Sequence, residues 1–369
     1  MHYAKVEKTN RYIHRTFSLN GFRHDVESLR EVAYSLIKEG EDFERSMGDF
    51  LLDWLDDSPT LTVSTSGSTG SPKKMLLQKT HMRNSALATG NFLDLSYGDS
   101  ALLCLPLDYI AGKMMLVRAM VWGLALDYVA PSSHPLSLTQ KSYDFCAMIP
   151  MQLKNTLSHL ERVKTIIVGG APVSSDLQAR IPQGKNRIFE TYGMTETVSH
   201  VAARLLNPDT DSMAISPKNP SFKALPEVTF STDKRNCLVL SAPSVSETEI
   251  VTNDIVNLIS PTEFQWLGRL DNIINSGGIK LVPEQIEAKL SALLDTRFFV
   301  AGVPDADLGQ KVILVLEGEG DTDDILERIR TSGTLDSFEI PKKIYGIPKF
   351  ALTETGKIHR KRTLGMRSK

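Results

Sequence analysis

Cysteine is scarce in this chain of 369 residues: Cys104, Cys146 and Cys237 are far apart and form no Cys-x-x-Cys pair. That spacing excludes a disulfide framework and a cysteine-built zinc site, and it fits a reducing compartment. An excess of one charge is also missing. With 42 basic and 44 acidic side chains the formal net charge is -2, so no global field gathers nucleic acid or an anionic membrane, and any phosphate site must be local. No apolar run reaches the length of a membrane span, and Met1 to Arg15 are polar, without the apolar core of a signal peptide. There is no internal repeat and no low-complexity tract. The expectation is a cytoplasmic protein that handles small molecules, with neither nucleic acid nor membrane as partner. The oligomeric state stays open.

What is present is length and alternation. A chain of 369 residues exceeds what one core usually holds, which predicts a large domain, a smaller one and a cleft. After a Ser/Thr/Gly-rich stretch the pattern trades helix for strand. A helical segment begins near Gln78, followed by an apolar run at Ala101–Leu105, a helix over Lys113–Val121 and a strand at Leu126–Ala130. Phe145–Ile149, a helix over Met151–Leu160, Thr165–Val168 and Arg187–Phe189 continue the series. This is the signature of an α/β sheet with parallel strands and ligand sites at the strand ends, where Gly169-Gly170 and Tyr192-Gly193 fall. From about Val228 short extended pieces suggest a small β-subdomain. From Gly278 onward strands and helices, one opened by Pro283, suggest a compact α+β tail.

Every position from Ser64 to Ser71 is Ser, Thr or Gly, and Pro72-Lys73-Lys74 follow. Glycine lets backbone N–H groups turn towards a ligand, hydroxyls add donors and lysine adds charge: a cradle for polyphosphate, or else a flexible linker. A Walker loop would need Gly-Lys followed by Ser or Thr, and Gly112-Lys113, Gly184-Lys185 and Gly356-Lys357 all lack it. No Gly-x-Ser-x-Gly elbow exists to make Ser66 or Ser68 a hydrolase nucleophile.

With four further blocks in order, Gly169-Gly170-Ala171-Pro172, Tyr192-Gly193-Met194-Thr195-Glu196, Gly268-Arg269-Leu270-Asp271-Asn272 and Gly356-Lys357-Ile358-His359-Arg360, the chain resembles the adenylate-forming superfamily of acyl-CoA synthetases, peptide-synthetase adenylation domains and luciferases. The resemblance runs from about residue 60 to the C-terminus. It implies a large domain, 1–269, of layered α/β sheets with a small β-subdomain and a shortened N-terminal part, and a small mobile α+β domain, 270–369. It implies ATP, Mg²⁺ and coenzyme A, with a carboxylic acid converted to an acyl-adenylate and then to a thioester. Residue by residue, Thr65, Ser66, Gly67, Ser68, Thr69, Gly70 and Lys73 would clamp the phosphates. Gly169, Gly170, Ala171 and Pro172 would form one wall of an adenine slot and Tyr192, with Gly193 and Met194, the other. Thr195 and Glu196 would meet phosphate, with Glu196 on the metal. Asp254 would accept from the ribose, although Asn253 stands where the family has glycine, and Arg269 would be the second ribose contact. Asp271 would be the hinge, Gly277 and Gly278 would approach a CoA channel, and Lys357 would stabilise charge in the adenylation transition state.

For the acid, Asp271-Asn272 followed by Ser276-Gly277-Gly278 resembles the o-succinylbenzoate-CoA ligases of menaquinone biosynthesis. Asp108-Tyr109 stand where an acyl-pocket Phe-His is common in the family. Lys113, Arg118 and His200 are candidates for a second carboxylate; equally, they are ordinary surface or core residues, and Lys113 and Arg118 are five apart on a helix and share no tight face. Other readings stay open: another aryl- or acyl-CoA ligase, an adenylation enzyme that loads a carrier protein, or a nucleotide-binding protein without catalysis.

Overall fold

Aliphatic and β-branched runs make the centre of the molecule. Val163–Val168 is the sequence Val-Lys-Thr-Ile-Ile-Val and is buried along nearly its whole length, as expected of a parallel strand covered on both faces. The computed structural model describes residues 12–65, 73–184, 186–208, 221–318, 322–353 and 358–366. Six strands, Ser18–Leu19, Ala125–Tyr128, Ser100–Leu103, Tyr143–Met148, Val163–Val168 and Arg187–Gly193, lie side by side in that spatial order, all parallel. Helices Lys79–Leu93, Ile110–Trp122 and Pro150–Asn155 alternate with them. Ile110–Trp122 is apolar almost all round and buried, so it belongs to the core. The three cysteines are free and buried.

The direction reverses after Gly193. Six residues separate it from His200, too few for a crossover, so His200–Leu205 returns antiparallel. Phe222–Ala224, Glu263–Arg269, Ile250–Ser260, Cys237–Ser241 and Thr229–Thr232 follow it across the same thirteen-stranded sheet. The extended pieces expected from Val228 are therefore the antiparallel wing of one sheet.

Two features were not foreseen. Helices Val26–Glu39 and Asp42–Leu55 form a hairpin whose second member buries Met47, Phe50, Leu51 and Trp54. Asp25 and Ser28 cap the first reciprocally. The strands Thr60–Thr65 and Lys73–Gln78 form an antiparallel ladder in which Thr65 faces Lys73, so both ends of the Ser/Thr/Gly loop are held on one rung.

Beyond Arg269 a separate sheet begins. Ile279–Leu281, Ile274–Ser276, Gly309–Glu317 and Phe298–Asp305 pair in that order, with Lys343–Ile347 parallel to Gly309–Glu317. Ile286, Leu290, Val300, Leu314 and Ile329 form a core on one face, and Phe299, Ile313, Val315 and Phe350 on the other. The helix opened by Pro283 stops at Leu290.

Candidate active site

Two of the predicted blocks, Gly169–Pro172 and Tyr192–Glu196, lie at the carboxyl ends of adjacent parallel strands, where open α/β sheets bind ligands. Gly169 to Pro172 leave the end of Val163–Val168. The Gly169 N–H donates to the Met148 carbonyl (3.0 Å), and Thr191 Oγ1 donates to the Val168 carbonyl (3.1 Å). Tyr192, near the end of the neighbouring strand, packs its ring against Phe222 and Phe264. Its hydroxyl donates to Asp254 Oδ2 at 2.5 Å. Burial, then the Asp254 charge, pushes that hydroxyl well above the ordinary tyrosine range.

Asp254 and Arg269 are cross-strand partners. Asp254 is 5% exposed, and its Oδ1 accepts from Trp266 Nε1 (3.2 Å) and Arg269 Nη1 (3.4 Å). Arg269 Nη2 also donates to Asp271 Oδ2 (2.8 Å), and Asn253 Nδ2 to Asp271 Oδ1 (3.1 Å). Tyr192, Asp254, Arg269 and Asp271 thus form one connected chain of polar contacts.

Thr195 and Glu196 follow in a short 3₁₀ turn. Glu196 is exposed and forms no ion pair among the described residues, so its oxygens are available to a hard cation. Within the turn, the Met194 N–H donates to Thr197 Oγ1 (3.0 Å). Val198 then adopts φ 65° and ψ -48°, and the Ser199 N–H donates to the Thr197 carbonyl (2.7 Å). This is a γ-turn, a strained conformation for a β-branched residue that costs about 1–3 kcal/mol. Gly193 makes the turn possible: a Cβ there would lie 2.4 Å from both His200 Cα and the Ser199 carbonyl oxygen.

The turn delivers Ser199 and His200 to Arg118. Arg118 is 2% exposed. Its guanidinium meets Ser199 Oγ (2.5 Å), Thr89 Oγ1 (3.3 Å) and His200 Nδ1 (3.4 Å), with no carboxylate among the described residues. Burial pulls Arg118 down to about 9, still charged at neutral pH. Burial and then Arg118 push His200 well below its ordinary value, so it stays neutral. Ser85, one helical turn before Thr89, has a buried hydroxyl with no partner among the described residues.

Lys113 lies elsewhere. Its ammonium sits 4.9 Å from the Phe50 ring centre, beside Asp108, Asp53 and Asp49, and burial lowers its pKa against those carboxylates. Asp108 is exposed and accepts from Ser46 Oγ (3.2 Å); Tyr109 immediately precedes the helix of Lys113 and Arg118 and makes no side-chain capping bond to it. Gly277 and Gly278, at φ 58° and 82°, make the two-residue turn between Ile274–Ser276 and Ile279–Leu281, a conformation that glycine adopts without strain. Ser66, Gly67, Ser68, Thr69, Gly70 and Lys357 lie outside the described residues, and only the backbone of Thr65 and Lys73 is described.

Sequence reasoning passed over Thr89, Ser199, Trp266 and the contact of Asn253 with Asp271. No local motif marks them, because cross-strand register and the γ-turn bring them in.

The family model for AMP-binding enzymes matches residues 38–223. This chain belongs to the AMP-binding enzyme family. Among relatives in that family, a 2-succinylbenzoate–CoA ligase of Listeria monocytogenes is 27% identical over 347 residues, covering 86% of this chain and 73% of that protein. A feruloyl-CoA synthase of Amycolatopsis is 25% identical, covering 82% and 68%. Among solved structures, an AMP-forming acyl-CoA synthetase/AMP-acid ligase II-like protein from Dyadobacter fermentans is 35% identical with a TM-score of 0.60, covering 91% of this chain and 97% of that one. No helix among the described residues is long and apolar enough to cross a membrane.

Proposed function

We propose that the chain is an ATP-dependent acid–CoA ligase that joins a carboxylate to AMP with loss of pyrophosphate and then transfers the acyl group to the thiol of coenzyme A. One observation carries this reading. Tyr192, Asp254 and Arg269, from three strands of an AMP-binding family member, converge on one site beside Thr195 and Glu196. Gly169 to Pro172 and Tyr192 would flank the adenine, and Asp254 and Arg269 would hold the ribose. Thr195 and the loop between Thr65 and Lys73 would hold the phosphates. The exposed carboxylate of Glu196, without an ion pair among the described residues, suits Mg²⁺, which would neutralise phosphate charge. Lys357 would bridge the acid carboxylate and the α-phosphate, stabilising charge that is spread over both in the transition state. We take 1–269 and 270–369 as the two domains, with rotation about Asp271 withdrawing Lys357 and bringing Gly277 and Gly278 towards the thiol.

For the acid we propose o-succinylbenzoate. Support comes from the 2-succinylbenzoate–CoA ligase relative and from the buried Arg118, a cation whose partners here are all neutral and which a second carboxylate would complete. The feruloyl-CoA synthase relative keeps another aryl acid as the second reading. Incubation with ATP, CoA and each acid, with mass detection of the thioester, decides between them; absence of product from o-succinylbenzoate ends the specific assignment. Lys357→Ala is expected to lower acid-dependent pyrophosphate release by about a thousandfold, an amount typical of losing transition-state charge stabilisation, while AMP affinity stays within twofold.

A further inference from the structure

We propose that the ion pair between Arg204 and Glu190 braces both walls of the nucleotide slot and so sets affinity for the adenine nucleotide without touching it. This rests on the proposed placing of the adenine between Gly169–Pro172 and Tyr192. The two residues lie directly opposite each other on antiparallel strands. Arg204 Nε and Nη2 donate to the same carboxylate oxygen, Glu190 Oε2, at 2.7 and 2.6 Å. The side chains are 15% and 5% exposed, so water and salt screen the pair weakly.

Each partner reaches a different wall. Glu190 Oε1 accepts from the Val173 N–H at 3.0 Å, one residue beyond Pro172, and therefore anchors the end of the Gly169–Pro172 turn. The Arg204 guanidinium lies 4.9 Å from the centre of the Phe222 ring. Phe222 in turn packs 5.9 Å from Tyr192 and 5.5 Å from Phe264, centre to centre. One guanidinium is thus tied through a carboxylate to the turn and through a ring to the tyrosine. A surface ion pair would matter little. Here, removing the arginine leaves a buried carboxylate without a counter-charge, which must take up a proton or draw in water. Either change loosens its hold on Val173.

The test is Arg204→Met, with AMP binding measured by calorimetry and steady-state kinetics in ATP and CoA. AMP should bind about tenfold more weakly, equivalent to losing one good hydrogen bond. The KM for ATP should rise similarly, with kcat and the KM for CoA within twofold. Arg204→Lys keeps the charge but loses the fork and the flat face over Phe222, and should fall between. Should Arg204→Met fail to fold, the double variant E190Q/R204M removes the lone charge and keeps an acceptor for Val173; it should fold and still bind AMP several-fold more weakly than wild type. Unchanged AMP affinity in a folded variant overturns the brace, as does equal weakening of ATP and CoA, which would mean general loosening. A wild-type protein that binds no AMP overturns the placing of the nucleotide, and the brace with it.

Discussion

The two ends of the candidate site solve their electrostatics differently. At the proposed nucleotide end, Asp254 is met by Tyr192, Trp266 and Arg269, and Arg269 also meets Asp271, so these three charged groups each have an opposite charge or a donor in place. At the proposed acid end, Arg118 is more deeply buried and, among the described residues, faces two hydroxyls and a neutral imidazole. A buried cation without an anion costs several kcal/mol unless a ligand completes it. On the proposed assignment, the nucleotide end is a frame whose charges are already matched, and the acid end is one that a substrate carboxylate would complete.

The sharpest way to break that contrast is Arg118→Met. If the guanidinium meets a second carboxylate, the KM for a dicarboxylic acid should rise about a hundredfold, from the loss of one charge-assisted contact worth about 2–3 kcal/mol. Acids with a single carboxylate should change little, and AMP affinity not at all. Equal loss for both acids would show that Arg118 only packs. The counterpart, Asp254→Asn, should weaken AMP about tenfold by removing the charged ribose acceptor. It should also lower the melting temperature more than Arg118→Met does, because Arg269 loses one of its carboxylates and Asp254's own charge no longer gathers three donors. Thermal scans of both variants test the order, and a larger drop for Arg118→Met would reverse the comparison.

The same contrast marks what a single sequence discloses. The residues proposed for the nucleotide end could be picked out because they sit in blocks with their own local chemistry: glycines at a strand end, Tyr192 beside Gly193, Thr195 before Glu196. The alternation of strands and helices was legible because parallel strands buried on both faces read as continuous apolar runs. Arg118 and His200, with Lys113, could be named as candidates for a second carboxylate, but the meeting of Arg118 with His200 could not. It depends on Gly193 admitting the Ser199–His200 backbone and on a γ-turn at Val198, which no residue pattern announces. The hairpin of helices at 26–55 was missed for another reason. Met47, Phe50, Leu51 and Trp54 do follow a helical period, yet no motif drew attention to them. The extended pieces after Val228 were foreseen as strands, while their membership of the main sheet follows from the short return after Gly193.

A smaller effect separates the ends by pH. His200 is buried and held neutral, with its pKa below the ordinary 6.5. In the unfolded chain it takes up a proton as pH falls through about 6.5, so its contribution to stability is complete above that value and is lost below it. Between pH 7.5 and 5.5 this amounts to at most about 1.4 kcal/mol from this one group. Urea unfolding of wild type and His200→Gln at the two pH values should show a loss of stability larger by that amount in the wild type, since His14 and His24 titrate in both. Equal slopes would mean that His200 is charged in the folded protein, and that the acid end holds two cations.

The smallest expected effect lies where the nucleotide end meets the proposed hinge. Asn253 donates to Asp271, as does Arg269, and the contact is exposed, so it is worth a few tenths of a kcal/mol to about 1 kcal/mol. A glycine at position 253, as in the wider family, could not make it. Asn253→Gly should therefore remove one of these two contacts on Asp271 and shift the balance between domain orientations by about two- to fivefold. Because the two half-reactions would use different orientations, pyrophosphate exchange and thioester formation from preformed adenylate should move in opposite directions. If both rates change by the same factor, Asn253 serves the ribose site alone and the matched frame of the proposed nucleotide end stops short of the hinge.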